Sequence, residues 1–451
     1  MNTIVNHNHK EYYKFIEKKY ENSELFYKKK IKETENVHVF LNLYESMNTL
    51  PIYPCPIIMP IKKKAQKYDV DFTGSKYALD LTNIKANTKL LEEKIKEYRS
   101  YLGKVKEISG KKKIRRFLDY ELKDNIASVT GEKNITTAWV KMFEILNTYD
   151  FFDSTNQSND VINTFHICEH PGKFIYSIQY FIKSQTTKKH DFIFQSLRPN
   201  KNPKIFKPDV DLIKNYGDKL DYGTGNGDIT DLNNILYYHE KYKHKKYQLI
   251  TSDCGLDFSE NFLEQEDNMY KIFFCAFLTA IGVSSDGSNY VFKFFSFNST
   301  KSIEFLQVVC LFYETVDIVR TLSTKSGSGE NYCVCRNYNY KNEKGSIEGI
   351  IKKLYNYIDN NNEEKYIVSN FDTNFLSRLY QHHNLISLRR MTNINLLIFR
   401  LRNYEYTLAN EIVVDYTQLL VNYYVSYFMK YIGLYPKNGF CPIACGTKDL
   451  V

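Results

Sequence analysis

The feature of the sequence that most constrains the fold is an alternation of short apolar runs with helical patterns, from about residue 131 to 338. Apolar runs bounded by turn residues predict strands at 165–168, 191–197, 247–253, 290–297, 317–322 and 331–338. Helical patterns follow several of them, at FIYSIQYFI after the first strand and at 269–281 and 302–316. This repetition predicts an α/β fold, a mostly parallel doubly wound sheet with right-handed crossovers. The last two strands are separated by STKSGSGE and predict a late antiparallel hairpin at one edge.

The regions on either side of this alternation have a different character. Residues 1–130 are rich in Lys and Tyr, and the segment 90–108 has the apolar spacing of an amphipathic helix. Residues 340–451 are mixed, with patterns that are mainly helical, and the pattern at 416–434 predicts a helix. We therefore predict three regions: a largely helical N-terminal region at 1–130, an α/β domain at 131–339 and a C-terminal region at 340–451.

Composition narrows the class of protein without assigning a function. The chain has 451 residues, with 61 Lys+Arg against 52 Asp+Glu, for a net charge of +9. This mild excess fits either a solvated surface or a nucleic-acid partner. The abundance of Lys, Asn, Tyr and Ile is typical of an AT-rich genome, such as that of a parasite or a large DNA virus, and we favour a large DNA virus. The longest apolar run, 270–283, is too short to span a membrane and contains a Lys, and the N-terminus lacks a signal-peptide core. We expect an intracellular, soluble protein without membrane association, in the host cytoplasm or the virion if it is viral.

The nine cysteines are scattered, and their spacing does not match a zinc site. We therefore expect buried free thiols and no metal.

A short turn follows the first predicted strand, where the sequence reads FHICEHPGKF at 165–174. Ligands of open α/β sheets bind beyond the carboxyl ends of the strands, and a Gly there lets a ligand approach the backbone. Neither GxGxxG nor GxxxxGK[ST] is present, and the Gly-rich segment 222–231 has no predicted strand leading into it. The turn at Glu169, Pro171 and Gly172 suits a ligand with an amino-acid head and a ribose but no pyrophosphate, such as S-adenosylmethionine. A purely structural tight turn is the alternative.

Charged residues stand at the ends of the later strands. Asp253 ends the third strand, Lys293 interrupts the fourth, and Glu330 precedes the last. A Lys within an apolar strand is costly unless it is paired, functional or on an edge facing water. Lys141 lies among apolar residues of the predicted helix 136–146, where a snorkelling Lys is the alternative.

These segments together resemble the FtsJ-like RNA 2′-O-methyltransferases, specifically the Adrift-type branch that methylates mRNA caps. The family has FHLCEAPG-F where this chain has FHICEHPGKF, and a GDI element where this chain has GNGDIT. TSDCGLDFSENFLEQED matches the T-[AS]-D-G element with its acidic extension, and YVFKFF matches the [FL]-[IV]-x-K-x-F strand. TLSTKSGSGENYCVC matches the final motif and AWVKM the first. The resemblance covers about 131–338.

The resemblance implies a Rossmann-like methyltransferase fold that uses S-adenosylmethionine and needs no metal. It implies a K-D-K-E tetrad of Lys141, Asp253, Lys293 and Glu330. It also implies that Glu169, Pro171 and Gly172 hold the cofactor's methionine and ribose end, that Asp191 lies against the adenosine, that Asp228 contacts the adenine and that Asp253 lies near the methyl group. The chain departs from the family at Lys173, where a small residue is usual, and at Cys254, which lengthens the D-G turn.

The reaction implied is transfer of a methyl group to a ribose 2′-hydroxyl of the cap-proximal nucleotide of mRNA. Lys293 would orient and deprotonate this hydroxyl, although burial and neighbouring charges affect its pKa in opposite directions. The basic cluster 111–116 and Lys133 are candidate phosphate contacts. The partners would be capped mRNA and other capping or transcription components. Two alternatives are 2′-O-methylation of non-cap RNA, and a catalytically silent RNA-binding or scaffolding subunit of a capping or virion complex.

Overall fold

A computed structural model describes the central part of the chain and a few short segments outside it. The described residues are 57–62, 90–91, 93–101, 104, 116–133, 135–152, 160–199, 207, 209–255, 265–295, 297, 299–324, 328–340, 346–359, 367, 371–402, 429 and 434. Most of the predicted helix at 416–434 and most of the basic cluster 111–116 lie outside these residues.

The described residues form an eight-stranded sheet flanked by helices. The strands are β1 (Ile57–Lys62), β2 (Val161–Ile167), β3 (Lys189–Gln195), β4 (Leu220–Asp221), β5 (Leu249–Ser252), β6 (Asn289–Phe294), β7 (Tyr313–Arg320) and β8 (Asn331–Tyr338). The helices are α1 (Arg116–Thr130), α2 (Thr137–Thr148), α3 (Lys173–Gln185), α4 (Val210–Tyr216), α5 (Leu232–Tyr242), α6 (Gln265–Val283), α7 (Thr300–Phe312), α8 (Ile347–Asp359) and α9 (Thr373–Arg402). Residues 93–101 are also helical, within the segment predicted as an amphipathic helix.

The order of the strands confirms the predicted doubly wound sheet. It runs β1-β7-β8-β6-β5-β2-β3-β4, and the five strands from β6 to β4 are parallel. The chain moves outward from β2 through β3 to β4, then returns to β5 on the other side of β2. The switch point therefore lies between the carboxyl ends of β2 and β5, where open α/β sheets bind their ligands. We call the side of the sheet on which these five strands end the carboxyl edge.

The antiparallel part of the sheet differs from the prediction in two ways. The β7–β8 hairpin forms next to β6, but β1 pairs with its outer strand β7, so the hairpin is not the edge of the sheet. Strand β1 pairs antiparallel with β7 and forms the outer edge, although its residues lie in the region predicted as largely helical. Helix α7 also ends at Phe312, before the predicted limit at 316, because the following YETVDIVR is rich in β-branched residues and enters β7.

Aromatic side chains dominate the core on one face of the sheet. Helix α6 is buried over almost its whole length, and Phe277 is in contact with the rings of Phe274, Phe305 and Phe312. Residues of α8 join the same core through Ile351 and Leu354. Helices α6, α7 and α8 therefore share one core with the strands of the sheet.

The chain divides into two compact units. One comprises residues 55–112 and 131–398 and contains the whole sheet. The other comprises residues 1–54, 113–130 and 399–451, and its longest described element is α1. Among the helices that the structure describes, none has the length and apolarity needed to cross a bilayer.

The aromatic core gives a direct test of this packing. Phe277→Ala removes a fully buried ring and should lower the free energy of unfolding by about 3–5 kcal/mol. The control is Leu388→Ala on α9, a side chain 55% exposed, which should change the free energy of unfolding by less than about 0.5 kcal/mol. Both values come from urea denaturation, and equal losses in the two variants would contradict the packing described.

Candidate active site

Glu169 closes the turn between β2 and α3. Its Oε1 accepts hydrogen bonds from the backbone N–H groups of Phe174 (2.8 Å) and Ile175 (3.3 Å), so the carboxylate caps the N-terminus of α3. Its Oε2 is buried and has no hydrogen-bond partner among the residues that the structure describes. Burial and the neighbouring carboxylate of Asp253 raise the pKa of Glu169 well above its ordinary value. Glu169 thus caps α3 through Oε1, and its Oε2 remains available to accept a hydrogen bond.

Gly172 is required by the backbone conformation and by the packing of Leu212, and not by the close approach of a ligand that the sequence predicted. Its φ is +91°, which disfavours any residue with a side chain, and a Cβ at this position would collide with Leu212 of α4. The space beside this glycine is therefore filled by protein. Lys173, which the sequence did not explain, donates to Asp209 Oδ2 at 2.8 Å, and Asp209 caps α4. Lys173 thus anchors α4 against the turn.

The loop after β4 carries Asp228 to the carboxyl edge. A two-residue strand leads directly into the Gly-rich segment, so the prediction that no strand precedes it was wrong. Asp228 Oδ1 accepts from the backbone N–H and the hydroxyl of Thr230 at 2.9 and 2.8 Å, which shapes the GDIT turn. Buried Gln195 links this loop to the β2 turn, since its Nε2 donates to Gly227 O (2.6 Å) and its Oε1 accepts from Cys168 N (3.1 Å).

Asp253 and Lys293 form an ion pair at the ends of β5 and β6. The distance from Lys293 Nζ to Asp253 Oδ1 is 2.5 Å, and Lys293 also donates to the Asp253 carbonyl at 3.2 Å. Gly255 leaves room for this ammonium, because a Cβ there would lie 3.0 Å from Lys293 Nζ. Lys293 is therefore a paired side chain on an interior strand, and the alternative of an edge-strand Lys facing water was wrong.

Lys141 and Glu330 form a second pair beside the first. Lys141 Nζ lies 2.5 Å from Glu330 Oε1, which also accepts from the Tyr332 hydroxyl at 2.7 Å. Arg320 Nη1 donates to the backbone carbonyl of Glu330 at 3.1 Å. The side chains of Lys141 and Glu330 are only 8% and 15% exposed. The pair is therefore largely buried, and Lys141 does not snorkel to water.

The charges of each ion pair shift the pKa values of the other pair. Burial opposes charge on Lys293, but the carboxylates of Asp253 and Glu330 outweigh burial and raise the pKa of Lys293 above 10.5. Burial likewise opposes charge on Glu330, but Lys141 and Lys293 lower the pKa of its carboxyl to about 2. Lys293 is therefore protonated at neutral pH in the protein alone, which answers the question that opposing effects left open in the sequence.

Asp191 is not brought to this site. It pairs with Asn163 near the start of β3 and binds Lys219 (2.5 Å) and Lys245 (2.7 Å). Four residues of strand, about 13 Å, separate it from the carboxyl end at Gln195. A contact between Asp191 and a ligand at the carboxyl edge is thus not supported. The backbone that follows Gln195, and not Asp191, lies at the carboxyl end of β3.

The cysteines differ in part from the expectation of free thiols. Cys168 and Cys254 form a disulfide between the ends of β2 and β5, whereas Cys275, Cys310, Cys333 and Cys335 are buried free thiols. Within the described ranges, no group of three or more His, Cys, Asp or Glu residues is arranged to hold a metal.

Three buried residues of the site carried little signal in the sequence. Gln195 ends a strand, and Arg320 and Tyr332 lie within β7 and β8, so each looks like an ordinary strand residue. Their roles depend on pairing between distant strands. A polar residue at the carboxyl end of a predicted strand is the one signal that marks Gln195 and Arg320.

The residues at the switch point fit a cationic ligand that has an amino-acid head. The buried Oε2 of Glu169 can accept a hydrogen bond, and Asp253 adds a second carboxylate on the other side of the switch point. The short turn offers no cradle for a pyrophosphate. S-adenosylmethionine carries an ammonium and a sulfonium and fits this donor and acceptor set, which defines the site as that of a Rossmann-like methyltransferase.

Comparison with known proteins agrees with this class. The FtsJ-like methyltransferase family matches residues 135–338, which therefore form an FtsJ-like methyltransferase domain, and this family uses S-adenosylmethionine. A protein of Drosophila melanogaster named cap-specific mRNA (nucleoside-2′-O-)-methyltransferase 2 is 26% identical over 235 residues, covering 50% of this chain and 33% of the relative. The chain is 27% identical to an uncharacterized protein of Acanthamoeba polyphaga mimivirus, covering 53% of this chain and 30% of that protein. It is 28% identical to a probable methyltransferase of African swine fever virus, covering 45% and 49%. The chain thus spans half or less of the length of each of these relatives.

Gly172 gives a test of how the cofactor turn is built. Gly287 has a similar φ of +84° but open space around it, so Gly287→Ala should cost only backbone strain, about 1–2 kcal/mol. Gly172→Ala adds the collision with Leu212 and should cost a further 1–3 kcal/mol, by the usual range for overpacking of about that size. Leu212→Ala removes a buried side chain and is itself destabilising, but in its background Gly172→Ala should cost less than in the wild type. Equal unfolding free energies for the two alanine variants would contradict the account.

Proposed function

We propose that this protein transfers a methyl group from S-adenosylmethionine to a ribose 2′-hydroxyl of RNA, and that the acceptor is the cap-proximal nucleotide of mRNA. The observation that carries the proposal is the pair of lysine–carboxylate contacts, Lys293–Asp253 and Lys141–Glu330, beside the Glu169 turn of an FtsJ-like domain.

The cofactor side of the site consists of Glu169, Pro171, Gly172, Asp228 and Asp253. Glu169 and Asp253 would hold the cationic amino-acid end through carboxylate oxygens, and Asp228, which shapes the GDIT turn, would contact the adenine. Gly172 acts through the shape of the turn, since Leu212 occupies the space in which a Cβ at this position would lie. When bound, S-adenosylmethionine supplies an electrophilic methyl group on a sulfonium that is already a good leaving group.

The acceptor side consists of the two lysines and Glu330. Neutral Lys293 would accept the proton of the 2′-hydroxyl, so that the ribose oxygen would become the nucleophile for the methyl group. Asp253 holds Lys293 in position and stabilises the ammonium that results. Lys141, oriented by Glu330, stabilises the developing alkoxide or holds a neighbouring phosphate.

The proposed substrate is capped RNA. A 2′-hydroxyl as acceptor requires RNA rather than DNA. Cap specificity rests on the names of relatives with limited coverage, among them the Drosophila protein and a zebrafish protein of the same name. Lys133 is exposed and is a candidate phosphate contact outside the tetrad. Other capping or transcription components remain candidate partners.

Two short RNAs of one sequence, one capped and one with a 5′-triphosphate, test the proposed substrate. With S-adenosylmethionine labelled in its methyl group, we expect label on the capped RNA at a rate at least about tenfold higher. Replacing the acceptor ribose by 2′-deoxyribose is the matched control and should abolish transfer. Equal transfer to both RNAs would favour the alternative of non-cap RNA methylation. Binding of RNA without any transfer would favour a silent RNA-binding or scaffolding subunit.

Lys293 is the residue whose replacement should be most informative. Lys293→Met removes the proposed base and should lower the transfer rate about 10²- to 10⁴-fold, with cofactor affinity kept within a few-fold. Lys245→Met removes a paired Lys at the opposite end of the sheet and should leave the rate unchanged. Single-turnover transfer and calorimetric cofactor binding measure the two quantities. Retained transfer in Lys293→Met would remove Lys293 from the mechanism.

The pH dependence of transfer follows from the raised pKa of Lys293. Because the base must be neutral and the ammonium is the prevailing form at neutral pH, the single-turnover rate should rise with pH, by up to about tenfold per unit below the pKa of the bound complex. The sign is positive because deprotonation creates the active form. A rate that is flat between about pH 6 and 9, or that falls, would contradict this assignment.

A further inference from the structure

Glu144 is a buried carboxylate that the proposed chemistry does not use. It lies on α2, one helical turn after Lys141, and is 1% exposed. Its oxygens accept three hydrogen bonds from the segment that follows β7: from Leu322 N (2.6 Å), Ser323 N (3.2 Å) and Ser323 Oγ (3.0 Å). Three hydrogen bonds to one buried side chain therefore fix this segment against α2.

The segment held by Glu144 lies at the carboxyl edge. Strand β7 ends at Arg320, and β8 begins at Asn331, which pairs with Phe294 at the end of β6. The connection between β7 and β8, whose described parts are 321–324 and 328–330, therefore lies beside the strand that carries Lys293. A hydroxyl contact of 2.7 Å between Thr321 and Thr324 closes its first turn. We call these residues the β7–β8 connection.

Helix α2 holds this connection at both of its ends. Lys141 binds the side chain of Glu330 at the far end, and Glu144 binds Leu322 and Ser323 at the near end. Because the two side chains are three residues apart on one helix, they lie on the same face. The position of the connection relative to the tetrad is therefore set by a single rigid element.

The protonation state of Glu144 depends on burial and on the groups that contact its carboxyl. Burial raises the pKa of its carboxyl to about 7, while the hydrogen bonds from Leu322 and Ser323 and the charge of Lys141 act in the opposite sense. An amide in place of the carboxylate keeps the volume but presents an N–H₂ group to backbone N–H donors. The contact is therefore sensitive to a substitution that changes the packing very little.

We propose that Glu144 is a positioning residue that fixes the β7–β8 connection where the RNA backbone beside the acceptor ribose must lie. The half-buried Ser323, Ser328 and Gly329 would then face the nucleotide that flanks the acceptor, next to Glu330. This inference rests on the proposed function and adds to it a determinant of RNA binding outside the K-D-K-E residues.

The test is Glu144→Gln, examined with the full chain. We expect the KM for capped RNA, and the dissociation constant for the same RNA measured by fluorescence anisotropy, to rise roughly 10- to 100-fold, the range for loss of hydrogen bonds to a charged group. The dissociation constant for S-adenosylmethionine should stay within twofold, because the cofactor turn is built from β2, β4 and β5. Asn147→Ala changes an exposed residue on the same helix and should leave all three values unchanged.

The design separates a positioning role from general damage to the fold. Partial unfolding lowers kcat and the number of cofactor sites but leaves KM unchanged, whereas misplacement of the connection raises KM. Ser323→Ala removes one of the three bonds and should weaken RNA binding less, and Glu144→Gln should have a smaller effect in its background. RNA affinity within twofold of wild type in Glu144→Gln would overturn the proposal. If the wild type transfers no methyl to RNA, the proposed function fails, and anisotropy alone still decides the role of Glu144.

Discussion

The site depends on the burial of two lysines and two carboxylates as mutually neutralising pairs. An isolated ammonium or carboxylate in this place would cost several kcal/mol of solvation, and removing one partner of a buried pair leaves the other uncompensated. Lys293–Asp253 and Lys141–Glu330 avoid this cost because the opposite charges are 2.5 Å apart in both pairs. The arrangement requires the ends of β5 and β6, the start of β8 and the first half of α2 to meet at one place, so the chemistry depends on the completed sheet.

The order of the strands is what makes this convergence possible. The switch between β2 and β5 opens the sheet beside Glu169 and Asp253. The insertion of β8 between β6 and β7 then brings Glu330, which precedes β8, to the end of the strand that carries Lys293. If β7 instead of β8 paired with β6, Glu330 would lie a strand further away. Glu144 and Lys141 on α2 hold the connection that results.

The sequence predicted what local patterns and motifs can encode. The repeated strand–helix pattern was sufficient for the parallel half of the sheet, and the motifs were sufficient to select Glu169, Lys141, Asp253, Lys293 and Glu330, which the structure brings to one edge. The strand β1 was missed because IIMPIK is a short isolated run in a Lys-rich region, and its partner β7 lies some 250 residues away in the chain, a contact that no local pattern encodes. The resemblance implied that Asp191 lies against the adenosine, but the parallel register puts this residue near the opposite end of β3 from the carboxyl edge. The bond between Cys168 and Cys254 likewise depends on two strand ends meeting.

The central claim is that this edge directs a methyl group to a ribose oxygen. The most direct measurement is mass spectrometry of the nucleosides released from capped RNA after incubation with the protein and S-adenosylmethionine. The account predicts a single added methyl on the ribose 2′-oxygen of a cap-proximal nucleotide. A methyl group on a base nitrogen or carbon, or unmodified RNA from protein that binds both ligands, would contradict it.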